Sequence, residues 1–418
     1  LKNQFTGNKM TPTTIVDIII IGGGIIGNSI AAYLSRKTEV TILVAEQNML
    51  CSGSTSLAGS LITRLREKTN LIPLISETFS MVSEIRNTLN FNIGENKTGS
   101  LHISTDHPPV LNTIDLQQIA QKFDIDTYDV DKNFIEKNVP WIKTEKVRQA
   151  LFVPDDFYVD GIKLGLAYAR MARQNGVQYR TNEAVSEILI TNEKVVGVKL
   201  NGENVYAPVV IDAAGIWSNR LLEKHNVSVP AAPVRSIYFL TKVKPGFFPE
   251  KHPICIMPDV KAFSRPSNGA LLFGIRDSKS SFTHPRNLPH HISDRKYIHA
   301  DEMWHVLKNE AQEFCQLIKK TEEIEIAHWV AAPCSYSFDG NPVIGKISGI
   351  GGLYAATGCN GAGIAVSAGL GRLVAEIVLG EKTFIPIDEF SPSRFSGDVY
   401  ADEFMQLCSA QRSQKKSG

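Results

Sequence analysis

Residues 15–46 read IVDIIIIGGGIIGNSIAAYLSRKTEVTILVAE. Ile15–Ile21 is an apolar, β-branched run interrupted by Asp17, as expected of a buried strand. Gly22, Gly23 and Gly24 follow, and Gly27 comes three residues later. Ile25–Arg36 reads as a helix, and Val40–Val44 as a second strand ending at Glu46. Each glycine has a steric reason. Gly22 permits a tight turn, Gly24 lets the backbone approach a pyrophosphate, and Gly27 lets the helix pack closely on the strand. The helix start, at Ile25 and Ile26, offers N–H groups and a positive dipole end to phosphates. Glu46, about 20 residues past the turn, is placed to accept from a ribose 2′-hydroxyl, with Gln47 beside it. The unit predicts an α/β fold with a Rossmann-like dinucleotide-binding domain. A glycine-rich turn in an unrelated α/β protein is the competing reading.

The chain has 418 residues, enough for a large core and two domains. It is 43% hydrophobic and 21% charged, within the globular range. A net charge of +1 provides no broad basic field, which argues against nucleic acid or an anionic membrane as partner. Arg412, Lys415 and Lys416 form a small basic cluster in a polar stretch, expected to be a frayed tail over 401–418. The six cysteines are scattered, without CxxC or metal-ligand spacing. That pattern predicts free thiols, no metal site and a reducing, cytoplasmic compartment. No apolar run reaches the ~18 residues of a membrane-spanning helix. Residues 1–9 lack the apolar core of a secretory signal and read as a disordered leader, with Met10 a candidate start.

Further along, CSGSTSLAGSLI (51–62) suits close backbone approach to a ligand. Leu71–Leu89 and Val110–Phe123 read as helices and Gly99–Ser104 as a strand, within an otherwise irregular 105–150. Asp160–Gln174 carries Ile162, Leu166 and Ala169 on one helical face. Strands are expected at Val177–Arg180, Ala184–Ile190, Val195–Leu200 and Pro208–Asp212, the last feeding the small-residue turn of VVIDAAGIWS (209–218). Alternation predicts further strands at Ser236–Lys242, Ile254–Met257, Ala262–Arg265 and Ala270–Ile275, and residues 300–320 read as helix. The last block has a loop, PCSYSFDGNPVIG (333–345), a strand Leu353–Ala356 and the turn TGCNGAG (357–363). A helix with one apolar stripe follows, and Gly380 ends it.

Four segments, IIIIGGGIIGNSIAAYL, VVIDAAGIWS, DGNPVIG with its preceding loop, and LYAATGCNGAGIAVSAGLGRLVAEIV, together resemble the D-amino-acid-oxidase-like (DAO) superfamily of FAD-dependent amine and amino-acid oxidoreductases. The resemblance spans nearly the whole chain in order. It implies an FAD-binding domain assembled from 10–85, 150–228 and 328–400, and a substrate domain on a mixed sheet from 86–149 and 229–327. It implies that Gly22, Gly24 and Gly27 hold the FAD pyrophosphate, with Glu46 on the AMP ribose. Ser54 and Thr55 would face the flavin or its phosphates, and Val185 would hold the adenine through its backbone. Ala214 and Gly215 would line the dinucleotide, and Gly358, Asn360, Gly361, Ala362, Gly363 and Ile364 would lie along the flavin ring. Leu61 and Trp217 are further candidate contacts. The helix after that last segment would aim its positive end at the pyrimidine side, where the reduced ring is negative.

The departures bear on substrate and attachment. Glycine oxidase-like members carry an arginine in the loop before the DGxPxIG-type motif and another in the final turn; this chain has neither. Its loop is more similar to that of dimethylglycine and sarcosine dehydrogenases. The histidine that links flavin in dimethylglycine dehydrogenase corresponds to Leu57, and the linking cysteine of monomeric sarcosine oxidases to Ala332, two positions before Cys334. Non-covalent FAD is the expectation. A substrate carboxylate needs a cation, and Arg is suited by its planar fork. Arg265 is the first candidate: it lies two residues past Phe263, which aligns with a substrate-facing aromatic, on the same strand face. Arg276 and Arg64 come next, and Tyr336 and Tyr238 are candidate pocket walls. His102, His305 and His328 lack partner spacing and read as structural.

The expected function is oxidation of the C–N bond of an amino acid or secondary amine by hydride transfer to flavin N5, giving an imine that hydrolyses. The acceptor would be oxygen, a quinone or another flavoprotein. A neutral amine supplies its own electron pair, so no protein base is required, and position and electrostatics carry the reaction. Two rivals remain: a 2-hydroxy-acid or polyol dehydrogenase, which needs a base for the hydroxyl proton, and a flavin-bearing subunit of an electron-transfer complex. The sequence leaves oligomeric state open.

Overall fold

The computed structural model describes residues 14–37, 39–105, 111–290 and 300–414. The expected leader 1–9 and the residues 415–418 lie outside these. At the centre of one sheet stands Ile18–Ile21, its four isoleucines all buried. Alternation divides them between two cores: Ile18 and Ile20 face one, Ile19 and Ile21 the other. The six-stranded sheet runs Gln178–Thr181, Ile42–Glu46, Ile18–Ile21, Val209–Asp212, Leu353–Thr357, Val343–Lys346. Its neighbours pair in parallel except the last two, which are antiparallel. A parallel sheet needs both faces covered. Helix Ile25–Lys37 lies on one face between helices Gly161–Gln174 and Ser367–Leu379. On the other face pack Ile188, Val198, Leu200 and Val205 of a four-stranded sheet.

Asp160 caps the helix it precedes, its carboxylate accepting from the N–H groups of Ile162 and Lys163. Gly380 ends the Ser367–Leu379 helix at φ +69°. The expected α/β class and the order of these elements hold, with boundaries shifted by one to three residues, the largest where the strand expected from Ile15 begins at Ile18.

A second, eight-stranded mixed sheet runs Ile326–Ser337, Ala231–Thr241, Ala270–Ile275, Ala262–Ser267, Ile254–Met257, Ser100–Thr105, Val147–Val153, Tyr128–Asp129. Its outer core is closed by Ile135, Met303, Val306, Phe314 and Leu317. Four readings are corrected. The expected boundaries at 150 and 328 fall inside strands Val147–Val153 and Ile326–Ser337 of this sheet. Residues 105–150 hold helix Lys132–Asn138 and two strands rather than irregular chain. The helix expected over 300–320 is two helices, Ala300–Glu310 and Gln312–Leu317.

The fourth concerns the tail. Residues 402–414 form a helix, Asp402–Gln414, seated on strands Ala231–Thr241 and Ile326–Ser337. Phe404, Met405 and Cys408 recur at helical spacing and are buried. Asp402 and Glu403 complement the dipole in the first turn. Ser409 Oγ donates to the Ser280 carbonyl. Among the described residues, no helix is long and apolar enough to cross a membrane.

Candidate functional site

A cavity of about 670 Å³ is lined by residues of both sheets. Its floor begins at the glycine turn. Gly22 has φ +104°, and a Cβ there would meet the Ala213 carbonyl oxygen at 2.5 Å. Gly27 lies beneath the turn rather than on the cavity wall, and its Cβ would meet the Gly22 oxygen at 1.9 Å. Gly24 is different: it faces the cavity, and its nearest foreign atom is Thr55 Oγ1 at 3.5 Å. Ile25 and Ile26, at the helix start, also line the cavity, and Ile25 N–H donates to Thr55 Oγ1 at 3.1 Å. The buried Asn28, not singled out from sequence, donates from Nδ2 to the Gly23 carbonyl at 2.9 Å and fixes the turn from behind.

Glu46 accepts from Gly23 N–H at 2.7 Å and Asn48 N–H at 2.8 Å, one on each carboxylate oxygen. Burial raises its pKa, and the two N–H groups pull it back. Each oxygen keeps a lone pair for a further donor. Gln47 and Val185 line the cavity beside it.

The turn at 213–218 is organised by Asp212. Its Oδ1 accepts from Ala214 N–H at 3.0 Å and Ser218 Oγ at 3.1 Å, and burial pushes its pKa up to about 6. Thr357 Oγ1 then donates to the Gly215 carbonyl at 2.9 Å, joining this turn to the start of the final glycine segment. Ala214, Gly215 and Trp217 line the cavity, as do Gly358, Gly361, Ala362, Gly363 and Ile364. Ser54, Thr55, Leu57 and Leu61 form the facing wall. Asn360 is not on that wall. It stands at φ +53° and its carboxamide is spent on the turn, accepting from Ser337 N–H at 2.9 Å and donating to the Gly358 carbonyl at 2.5 Å.

Where the eight-stranded sheet closes the cavity, Phe263, Tyr238 and Tyr336 line it, with the Tyr336 hydroxyl 3.2 Å from Ser236 Oγ. Arg265 is corrected: it is not on the wall. Its Nε donates to the Gly59 carbonyl at 2.8 Å, its Nη1 to the Pro266 carbonyl at 2.9 Å, and its guanidinium lies 4.7 Å from the Tyr158 ring centre. Sharing a strand face with Phe263 was not enough, because Gly59 captures the longer side chain. Arg64 is likewise off the wall, pairing with Asp155.

Four other arginines line the cavity, Arg220, Arg276, Arg286 and Arg412, and of these Arg276 and Arg412 are buried. They are 2% and 3% exposed, so both cations are withdrawn from water. Burial, then the like charge of Arg412, pushes Arg276 down to about 9. Arg412 was missed because its segment was read as a tail; the spacing of Phe404, Met405 and Cys408 was the available signal.

A cradle that a Cβ would fill, a carboxylate at the end of the second strand and a glycine-lined wall suit a dinucleotide carrying a flat ring. The family is shown by sequence: the profile described as "FAD dependent oxidoreductase" (DAO) matches residues 17–377, and the chain belongs to that family. Among characterised relatives, 4-methylaminobutanoate oxidase (formaldehyde-forming) of Paenarthrobacter nicotinovorans is 27% identical over 94% of this chain and 48% of that protein. The mitochondrial dimethylglycine dehydrogenase of Rattus norvegicus is 23% identical over 91% of this chain and 45% of its own length. The chain thus spans about half the length of the curated relatives it matches. Of solved structures, L-proline dehydrogenase from P. horikoshii superposes with a TM-score of 0.79 at 23% identity, covering 92% of this chain and 98% of that one. The chain is thus a member of the FAD-dependent oxidoreductase family, with 4-methylaminobutanoate oxidase and dimethylglycine dehydrogenase among its relatives.

Proposed function

We propose that the chain oxidises the C–N bond of an amino acid or secondary amine whose carboxylate is held by Arg276. The observation that carries this reading is one cavity that joins the glycine cradle to a buried guanidinium. Gly22, Gly24 and the first turn of helix Ile25–Lys37 would receive the FAD pyrophosphate, and Glu46 the AMP ribose. Val185 would meet the adenine, and the 358–364 segment would lie along the flavin. The chemistry FAD supplies when bound is two-electron acceptance at N5, so that hydride transfer from substrate leaves an imine for water to hydrolyse.

The chain's own side chains have three tasks. Arg276 fixes the carboxylate, and with it the position of the α-carbon. Phe263, Tyr238 and Tyr336 exclude water and restrict the substrate to one orientation. Helix Ser367–Leu379 turns its N-terminal end toward the glycine segment and favours negative charge there. A neutral amine needs no protein base. FAD would be held without a covalent bond, since Leu57 is on the cavity wall where a linking histidine would stand and the buried Ala332 where a linking cysteine would stand. The acceptor would be oxygen or a quinone or flavoprotein. A two-layer assembly of FAD and substrate domains accords with the two sheets, each with its own core.

The test is anaerobic titration of the flavin absorbance with glycine, sarcosine, proline, D- and L-amino acids and 2-hydroxyglutarate. Bleaching by an amine supports the reading. Bleaching only by the hydroxy acid replaces it with alcohol oxidation. Acid precipitation should leave the flavin in the supernatant; flavin in the pellet would overturn non-covalent binding.

A further inference from the structure

A second cavity, of about 200 Å³, shares a wall with the first: Tyr336 and Ala362 line both. Arg66, a few residues past strand Leu61–Ile62, and His102, from strand Ser100–Thr105, stand in its wall. They are 4% and 3% exposed. Arg66 Nη2 donates to the Thr63 carbonyl, but its Nε is buried without a hydrogen-bond partner. His102 Nε2 is likewise buried and unpartnered. Burial, then the charge of Arg66, pushes His102 down to about 4, so its imidazole is uncharged near neutrality. Arg66, brought down to about 10 by burial, stays a cation there.

Among the described residues, the nearby acids leave both nitrogens unmet. Asp156 accepts from Arg64 N–H at 3.0 Å and from Ser100 Oγ at 2.6 Å. Glu67 lines the cavity and bonds neither Arg66 Nε nor His102 Nε2. Lys68, on the same wall, donates Nζ to the Asp339 carbonyl at 2.5 Å. An arginine Nε–H can only donate, and a neutral imidazole can carry its proton on Nε2 and donate as well. Two buried donors in one wall call for an acceptor. A two-oxygen anion meets both, and more strongly than water, because one donor is charged. Leu65, Leu111 and Leu116 make the apolar remainder, where water finds no partner. The space has room for about six waters, or for one carboxylate of as many heavy atoms.

We infer that the second cavity is an accessory site for a short-chain monocarboxylate, held at its carboxylate by Arg66 and His102. Its occupant stands across Tyr336 and Ala362 from the first cavity. The inference goes beyond amine oxidation and does not rest on it.

Equilibrium dialysis of the holoenzyme against radiolabelled propanoate tests it without turnover, so a failure of amine oxidation leaves the result untouched. Arg276→Leu first removes the carboxylate anchor proposed for the other cavity. That protein should still bind one propanoate per chain, and excess propanamide, similar in shape but uncharged, should not displace it. Adding Arg66→Gln or His102→Phe should weaken binding at least about tenfold. So should Gln411→Glu, which sets a negative charge in the same wall at a half-buried position and keeps both donors. No propanoate on the Arg276→Leu protein overturns the inference. So does displacement by propanamide, or an affinity that Gln411→Glu and the donor variants leave unchanged. If a variant at one of the buried positions fails to fold, Gln411→Glu in the unaltered protein decides, by whether one propanoate per chain is lost.

Discussion

The two ends of the cavity are built on different principles. Around Gly22, Gly24 and Gly27 the chain leaves side chains out, and backbone atoms and a helix start define the space. Around Arg276, Arg412 and Tyr336 it does the opposite, driving long charged side chains into a buried corner. The first construction depends on shape, and an added carbon at Gly22 or Gly27 would collide with backbone. The second depends on charge withdrawn from water. A backbone cradle can serve a cofactor shared by a whole family, while a side-chain corner can change its ligand with one substitution.

The comparison is broken most severely at Gly27. Gly27→Ala sets a methyl 1.9 Å from the Gly22 oxygen. It should cost about 3 kcal/mol or more and yield unfolded protein without flavin, read by thermal melting and yellow colour. At the charged end, Arg276→Leu should keep flavin and fold but raise KM by about a hundredfold, for a loss of about 2–4 kcal/mol. An unchanged KM would remove Arg276 from substrate binding. Gly24→Ala sharpens the contrast within the cradle. Its nearest foreign atom is 3.5 Å away, so the apoprotein should melt within about 1 kcal/mol of the original. FAD should nevertheless bind roughly tenfold or more weakly, because the methyl stands where phosphate must approach.

A fourth test uses pH. Burial disfavours the charged form of Arg276 and brings its pKa down to about 9. Below that pH the cation is present and binds carboxylate; above it the cation is lost. KM should therefore climb about tenfold per pH unit past about 9, while flavin affinity at the backbone cradle stays flat. The smallest effect is expected of Arg265→Gln. It loses bonds to two backbone carbonyls, about 1–2 kcal/mol of stability, and leaves KM unchanged.

Those two constructions also explain what could be read in advance. The steric demand on Gly27 is local, since its Cβ would meet the Gly22 oxygen within the same strand–turn–helix, and the spacing of the glycines exposed the turn even though Gly22 and Gly24 meet Ala213 and Thr55 from elsewhere in the chain. Arg265 and Arg276 each sit on or just after a strand of the same sheet, and nothing within either strand distinguishes them. What separates them is distant in the chain: the Gly59 carbonyl takes Arg265, and Arg412 arrives beside Arg276. Asn360 was misjudged for a related reason, since its bonds to Ser337 come from the strand that pairs with Ala231–Thr241. Arg412 was hidden by composition. Three buried apolar residues among polar ones make a helix only when strands Ala231–Thr241 and Ile326–Ser337 are there to receive them.

On a ribosome, chain order is also time order. Every strand of both sheets has been made before residue 402 emerges, and the helix that brings Arg412 comes after them. The nascent chain therefore completes its cradle while its charged corner holds one guanidinium, and acquires the second only as helix Asp402–Gln414 docks. The backbone cradle and the charged corner are in this way completed at different moments of synthesis.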